Sequence, residues 1–256
     1  MTVKKKLQKA SRLIRETLKE NLSLFPSEDK LFQAIRYSLL AESSHIRGFL
    51  VLELGTLFNI PYVDTIEVAA AIEMIHSFSL IHDDLPALDN SDERRNQPAC
   101  HIAFQESTAI LAGDALLVLA YQMLSRYGTP LVQCTSKYVL EMITGQVHDV
   151  IGSSTLTADE INKMKSGSLF ALSCSSVGHL ANSGQSELTV LEAFGYEIGI
   201  IFQAVDDIKD GDAKNDPQRS ITVSLKKIKR IIDTTFLLEK KTLIDELITL
   251  IINGSL

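Results

Sequence analysis

The sequence predicts an all-α protein, a multi-helix bundle that forms a single domain over residues 1–256. Three observations carry this. Apolar residues recur at helical spacing through nearly the whole chain. No stretch alternates apolar and polar residues with the turn punctuation of a sheet. Six prolines and 6% aromatic residues leave few helix breakers and few strand formers. With 45% apolar residues, a chain of this length can bury one large core, which excludes a disordered protein. Three scattered cysteines exclude a disulfide-stapled one.

The elements follow in order. Leu7, Ile14 and Leu18 mark an N-terminal helix, and Leu31, Ile35, Leu39 and Leu40 the next. Residues 65–84 are apolar on more than one side (Ile66, Val68, Ala69, Ile72, Ile75, Phe78), so that helix is expected to be deeply buried. Pro86 disfavours helical backbone at Leu85 and ends it at the tip His82-Asp83-Asp84. Further helices are expected over 107–127, 131–151, 158–182, 187–210 and 221–252, the last with a possible break. Turns fall at Tyr127-Gly128-Thr129-Pro130 and from Gly211 to Pro217.

The lysine-rich N-terminus lacks the apolar core of a secretory signal. The longest uncharged stretch, Ser166 to Ser186, is too rich in Ser, Gly and amide residues to span a bilayer. A cytoplasmic protein with no transmembrane segment is expected. The formal charge of -7 makes nucleic acid an unfavourable partner.

Two acidic tips stand out. Asp83, Asp84 and Asp89 follow the apolar run Ile75 to Ile81, and Asp206, Asp207 and Asp210 follow Ile198 to Val205. Spacing of i, i+1 and i+4 puts the second set on one helical face, where three carboxylates repel unless solvated or held by a cation. In the first set, Asp89 needs the irregularity at Pro86 to return towards Asp83. Either triplet alone reads as a solvated surface. Two, each on an apolar helix and the first followed by Arg94 and Arg95, describe a polyphosphate site bridged by metal. Oxygen donors without cysteine or histidine at ligand spacing select a hard ion, best magnesium.

The stretch from Ile75 through His82-Asp83-Asp84-Leu85-Pro86-Ala87-Leu88-Asp89 to Arg94-Arg95 resembles the first aspartate-rich motif of the trans-isoprenyl diphosphate synthases (polyprenyl synthetases), in the bacterial farnesyl type. Phe202-Gln203-Ala204-Val205-Asp206-Asp207-Ile208-Lys209-Asp210 resembles the second. Ala109 to Leu117, Gly145-Gln146-Val147-His148-Asp149 and Lys165-Ser166-Gly167 are similar to the segments between, so the resemblance covers about residues 30–225.

The resemblance implies a transferase of the geranyltranstransferase type. Such an enzyme condenses an allylic diphosphate, dimethylallyl or geranyl, with isopentenyl diphosphate to farnesyl diphosphate. The six aspartates would be the metal ligands, holding about three magnesium ions that bridge the allylic diphosphate. Asp83, Asp84, Lys165 and Asp206 are the implied catalytic residues. Arg47, His76, Arg94, Arg95, Lys165, Ser166, Gln203 and Arg219 are the implied substrate-binding residues. Phe78 and Ser79 would set chain length, and the protein would be a homodimer. Metals, Arg94 and Lys165 would neutralise the leaving diphosphate so that its carbon–oxygen bond ionises to an allylic cation.

The sequence departs from the family at two places. In Glu42-Ser43-Ser44-His45-Ile46-Arg47-Gly48 only Arg47 is kept of the basic segment that holds isopentenyl diphosphate; Ser44 replaces a lysine and His45 an arginine. The loop after the second motif is short, leaving Lys214 and Arg219 to stand for its lysines. These losses keep alive a catalytically weakened prenyl-diphosphate-binding paralogue or partner subunit, and more remotely a terpene cyclase. All six aspartates with Arg94, Arg95, Lys165 and Gln203 favour the active synthase. They also account for most of the acidic excess, because setting them aside nearly balances acids and bases.

Phe78 lies five residues before Asp83, about 7–8 Å down the helix. Its ordinary role is core packing, but in the resembling family an aromatic here closes the floor of the chain-binding trough. Phe78→Ala is expected to lengthen the products, read by chromatography of the dephosphorylated alcohols; an active variant with an unchanged product distribution refutes the role.

Overall fold

The computed structural model describes residues 1–152, 155–211 and 216–255, apart from the side chain of Asp210. Those residues are almost wholly helical. They fall into two units, one built from residues 7–52 and 61–132, the other from 1–6, 53–60 and 133–256.

The first unit holds most of α1 (Val3–Leu22), α2 (Lys30–Leu39), most of α3 (Ile46–Gly55), α4 (Tyr62–Asp83), α5 (Cys100–Phe104) and α6 (Glu106–Leu124). Its core is the packing of α4 on α6. Val68, Ala69, Ile72 and Ile75 are fully buried from α4, as are Ala109, Ala112, Leu116 and Ala120 from α6. The small residues bring the two helices close, and at Gly113 a side chain would collide with the His82 ring. As expected, α4 ends at the tip, with Asp84 as its cap. Pro86 then sends the chain into a tight turn rather than another helical turn.

The second unit holds most of α7 (Thr129–Ile151), then α8 (Ala158–Asn162), α9 (Ser168–Leu180), α10 (Gln185–Asp210), α11 (Pro217–Thr234) and α12 (Lys241–Ile252). Here α10 crosses α9 and the preceding turn almost backbone to backbone. A Cβ on Gly195 would lie 2.5 Å from the Phe170 carbonyl oxygen, and one on Gly199 2.6 Å from the Gly167 Cα. The N-terminal residues are tied in by the Val3 N–H, which donates to Glu246 Oε2 at 3.1 Å. Lys6 and Lys240 both reach Glu53, at 3.2 and 3.4 Å.

Several expectations are corrected. The helix predicted over 158–182 is interrupted by a π-helical turn, Lys163–Gly167, because an extra residue is accommodated there. The segment 221–252 starts earlier, at Pro217 behind the Asp216 cap, and breaks at the extended Thr235. Helices α3 and α5 went unanticipated, since α3 is short and apolar nearly all round and α5 has five residues; neither shows a period. A two-residue antiparallel hairpin, β1 (Glu93–Arg94) with β2 (Gln97–Pro98), also interrupts the helical pattern. Its turn residues Arg95 and Asn96 both have positive φ, 55° and 59°, as a tight hairpin requires. Among the described residues, two segments are long and apolar enough to cross a bilayer, Glu106–Tyr127 and Gln185–Lys209. Both carry a buried face within their own unit, as core helices do.

Gly195→Ala is expected to cost about 1–3 kcal/mol by overpacking at a backbone contact that cannot yield, measured by urea unfolding. Gly184→Ser, where nothing lies within 4 Å, is the neutral control.

Candidate active site

In the first unit the turn after α4 folds the backbone of Asp89 back to that of Asp83, while among the described residues no three carboxylates or histidines come together as a metal site. The Asp89 N–H donates to the Asp83 carbonyl oxygen at 2.8 Å, and Leu88 N–H to Leu85 at 2.9 Å, so the Pro86-Ala87 insertion folds Asp89 back beside Asp83. Asp83 is half-buried and Asp89 exposed. Asp84 is only 2% exposed and is held by Arg94, whose Nε donates to Oδ1 at 3.0 Å and Oδ2 at 3.2 Å and whose Nη2 donates to Oδ1. Those bonds raise the guanidinium pKa above its ordinary value. The sequence put Asp84 among the metal ligands and Arg94 on substrate; in this structure the two are committed to each other.

The His82 Nε2–H donates to the Ile110 carbonyl oxygen at 3.0 Å and lies 4.0 Å from Asp114 Oδ1, with the ring edge-on to Phe78 at 5.0 Å. Phe78 is buried, and the Ser79 hydroxyl is spent on the His76 carbonyl at 2.9 Å.

A basic cluster lies in the same unit. Arg47, 7% exposed, donates from Nη1 to His76 Nε2 at 3.2 Å, which fixes that imidazole as the neutral Nδ1–H tautomer. Burial, reinforced by Arg47 and Arg95, pushes the His76 pKa well below its usual value. Arg95 reaches the Ser38 carbonyl oxygen at 3.2 Å, and burial lowers its pKa. His45 has φ of 49° and is buried, and burial lowers its pKa too. Glu73, also buried, accepts the Gly48 N–H at 2.9 Å. A small open cleft beside this cluster is lined by Tyr37, Ser38, Ser77, Ile81, Asp84 and Arg95 among others.

In the second unit the π turn presents Lys165 and Ser166 in different directions. Lys165 Nζ pairs with Asp149 Oδ2 at 2.6 Å, and the Ser166 hydroxyl donates to Gln203 Oε1 at 2.5 Å. Gln203 in turn donates to Asp207 Oδ1 at 2.7 Å, and Asn162 to Asp207 Oδ2 at 3.2 Å. Asp206 has Lys209 at 3.3 Å. The turn fits against α7 because residue 145 is glycine; a Cβ there would lie 2.5 Å from the Lys165 nitrogen. Arg219 is exposed in the first turn of α11, where its backbone N–H is capped by Asp216. The Asp210 side chain and Lys214 lie outside the described residues. Asn162 and Asp149 are the members of this network that spacing alone did not assign.

Each unit thus carries an acidic helix end with a base bound to a carboxylate nearby. Comparison with known proteins gives the family. The polyprenyl synthetase model matches residues 28–219, so the chain belongs to the polyprenyl synthetase family. It is 38% identical over 197 residues to a farnesyl diphosphate synthase of Micrococcus luteus, covering 72% of this chain and 68% of that one. A farnesyl diphosphate synthase of Buchnera aphidicola is 36% identical, over 79% of this chain and 74% of that one. Among solved structures, an FPP/GFPP synthase from Zymomonas mobilis matches with a TM-score of 0.85 at 26% identity, over 97% of each chain. A geranyltranstransferase from Thermotoga maritima matches with a TM-score of 0.82 at 27% identity, over 96% of each chain.

Neutral buried histidines set a pH dependence. The folded-state pKa values of His45 and His76 lie below the unfolded value of about 6.5. Below that pH the unfolded chain binds protons that the folded chain does not, so stability falls as pH drops. The urea midpoint is expected to decline between pH 7 and pH 5, and His76→Asn to shrink the decline. A midpoint flat across that range contradicts neutral burial.

Proposed function

We propose that this protein condenses an allylic diphosphate, dimethylallyl or geranyl, with isopentenyl diphosphate to give farnesyl diphosphate, as a cytoplasmic homodimer. The observation that carries the reading is the turn at Pro86, which returns Asp89 to Asp83 within a chain of this family. The carboxylate oxygens of the first tip, and those of the second where the Gln203 and Asn162 amides orient Asp207, are donors of the kind magnesium takes. Asp83, Asp84 and Asp89 in one unit and Asp206, Asp207 and Asp210 in the other would hold the ions. Bound magnesium would offset the charge that develops on the leaving diphosphate.

The chain's own groups do the rest. Arg94 in the first unit and Lys165 in the second are bases of the kind that stabilises a departing diphosphate as the carbon–oxygen bond breaks and its electron pair leaves with the diphosphate. Arg47 and Arg95 bind the diphosphate of the second substrate, with His76 bracing Arg47. The isopentenyl double bond then forms the new carbon–carbon bond, and a proton passes to the released diphosphate. Phe78, buried one and a half turns below Asp83, bounds the growing chain. Support for self-association comes from α7, where Leu140, Ile143, Val147, Val150 and Ile151 form an exposed apolar stripe at helical spacing.

Purified protein with magnesium, isopentenyl diphosphate and geranyl diphosphate is expected to form farnesyl diphosphate, and chelation with EDTA to abolish it. Asp83→Asn is expected to lower kcat by about a hundredfold or more. Metal-dependent binding without turnover assigns a weakened paralogue instead, and a cyclised hydrocarbon a cyclase; either result overturns the proposal.

A further inference from the structure

Arg15 on α1 has no role in the preceding account. It is half-buried, with Nε shielded from solvent and without a hydrogen-bond partner. Among the described residues it has no carboxylate at ion-pair distance, whereas its neighbour Arg12 pairs with Glu16 at 3.7 Å on the exposed face of the helix. A shielded Nε–H without an acceptor is costly, and an acceptor oxygen from a ligand would offset that cost.

Its placement is fixed by three contacts. The Ser11 hydroxyl donates to the Ser43 carbonyl oxygen at 2.8 Å and, with its single proton so used, accepts the His45 Nδ1–H at 2.8 Å. This clamp fastens α1 to the segment that contains Ser44. Arg15 lies four residues after Ser11, on the same helical face and one turn further on. Between them Ile14 packs so closely on Gly48, the residue after Arg47, that a Cβ there would lie 2.6 Å from its Cδ1. Arg15 is also within electrostatic reach of both His45 and Arg95. Among the described residues Arg95 likewise has no carboxylate at ion-pair distance, and the buried Glu73, which accepts the Gly48 N–H, is the one acid whose charge acts on both Arg95 and His45. Ser44 and the neutral His45 bring no charge of their own to this segment.

We propose that Arg15 binds the diphosphate of isopentenyl diphosphate together with Arg47 and Arg95, supplying from α1 the positive charge that Ser44 lacks. This rests on the prenyl-transfer reading of the same site. The competing role for Arg15 is to pack its aliphatic stem against the loop. Methionine keeps most of that stem and removes the charge, so Arg15→Met separates the two.

Steady-state kinetics of Arg15→Met are expected to show KM for isopentenyl diphosphate raised about tenfold or more, with KM for geranyl diphosphate and kcat within about twofold. Arg15→Lys should lie between this variant and the unmodified protein. Ser44→Lys added to Arg15→Met should restore most of the loss, and Arg12→Met should change nothing. An Arg15→Met protein with unchanged KM for isopentenyl diphosphate overturns the proposal, as does an equal rise in both KM values. Calorimetric binding of inorganic pyrophosphate without metal gives a readout independent of turnover, and Arg15→Met should weaken it. If the unmodified protein makes no prenyl product, the prenyl-transfer reading fails while this binding comparison still decides whether Arg15 holds a diphosphate.

Discussion

A carboxylate at the end of a buried helix is the constraint from which much of the first unit follows. Asp84 is nearly inaccessible, and an ionised carboxylate there is tolerable only with a charged donor beside it. Arg94 is that donor, and two hydrogen-bonding nitrogens on one carboxylate fix its direction as well as its charge. To deliver Arg94, the chain must reverse within a few residues of α4, which the turn at Pro86 and the two-residue hairpin accomplish. The hairpin places Arg95 in a left-handed conformation and aims it at the Ser38 carbonyl at the end of α2. Tyr37 and Gln97 then lock that end of α2 to the hairpin, through bonds of 2.7 and 3.3 Å. One buried charge thus organises a turn, a hairpin and a helix end.

The fold was legible where periodicity ran long. Helices α4, α6, α7 and α10 show the apolar spacing and end signals that their burial requires, so their limits differ from expectation by only a few residues. What escaped was short or aperiodic. Helix α3 buries Phe49, Leu50, Val51 and Leu54 and gives no face to detect, while the hairpin is held by the Arg94 pair rather than by strand propensity. The π turn is invisible to pattern because one added residue changes neither composition nor polarity.

The site was legible as chemistry and less so as pairing. Six aspartates after two apolar runs give an oxygen donor set from spacing alone, and the Pro86 insertion predicts the return of Asp89. Which base holds which acid is decided by tertiary contacts between residues far apart in the chain, such as Lys165 with Asp149 or Asn162 with Asp207. His82 shows the limit most plainly, since its position beside two aspartates gives no hint that its ring lies over Gly113 and bonds to α6.

The π turn at Lys163–Gly167 has a consequence for how this site tolerates change in chain length. A residue added to regular helix rotates everything beyond it by about 100°, which would swing Ser166 away from Gln203 and carry the buried face of α9 off α10. Widening the turn absorbs that residue locally, so α8 and α9 each keep their own register while Lys165 and Ser166 diverge between them. Loss of a single residue within this turn would therefore restore regular helix with α8 and α9 still in register, and would remove the widening that lets Lys165 and Ser166 diverge. The two side chains most dependent on that winding are the ones that address Asp149 and Gln203, so helix pitch itself acts as a determinant of the site.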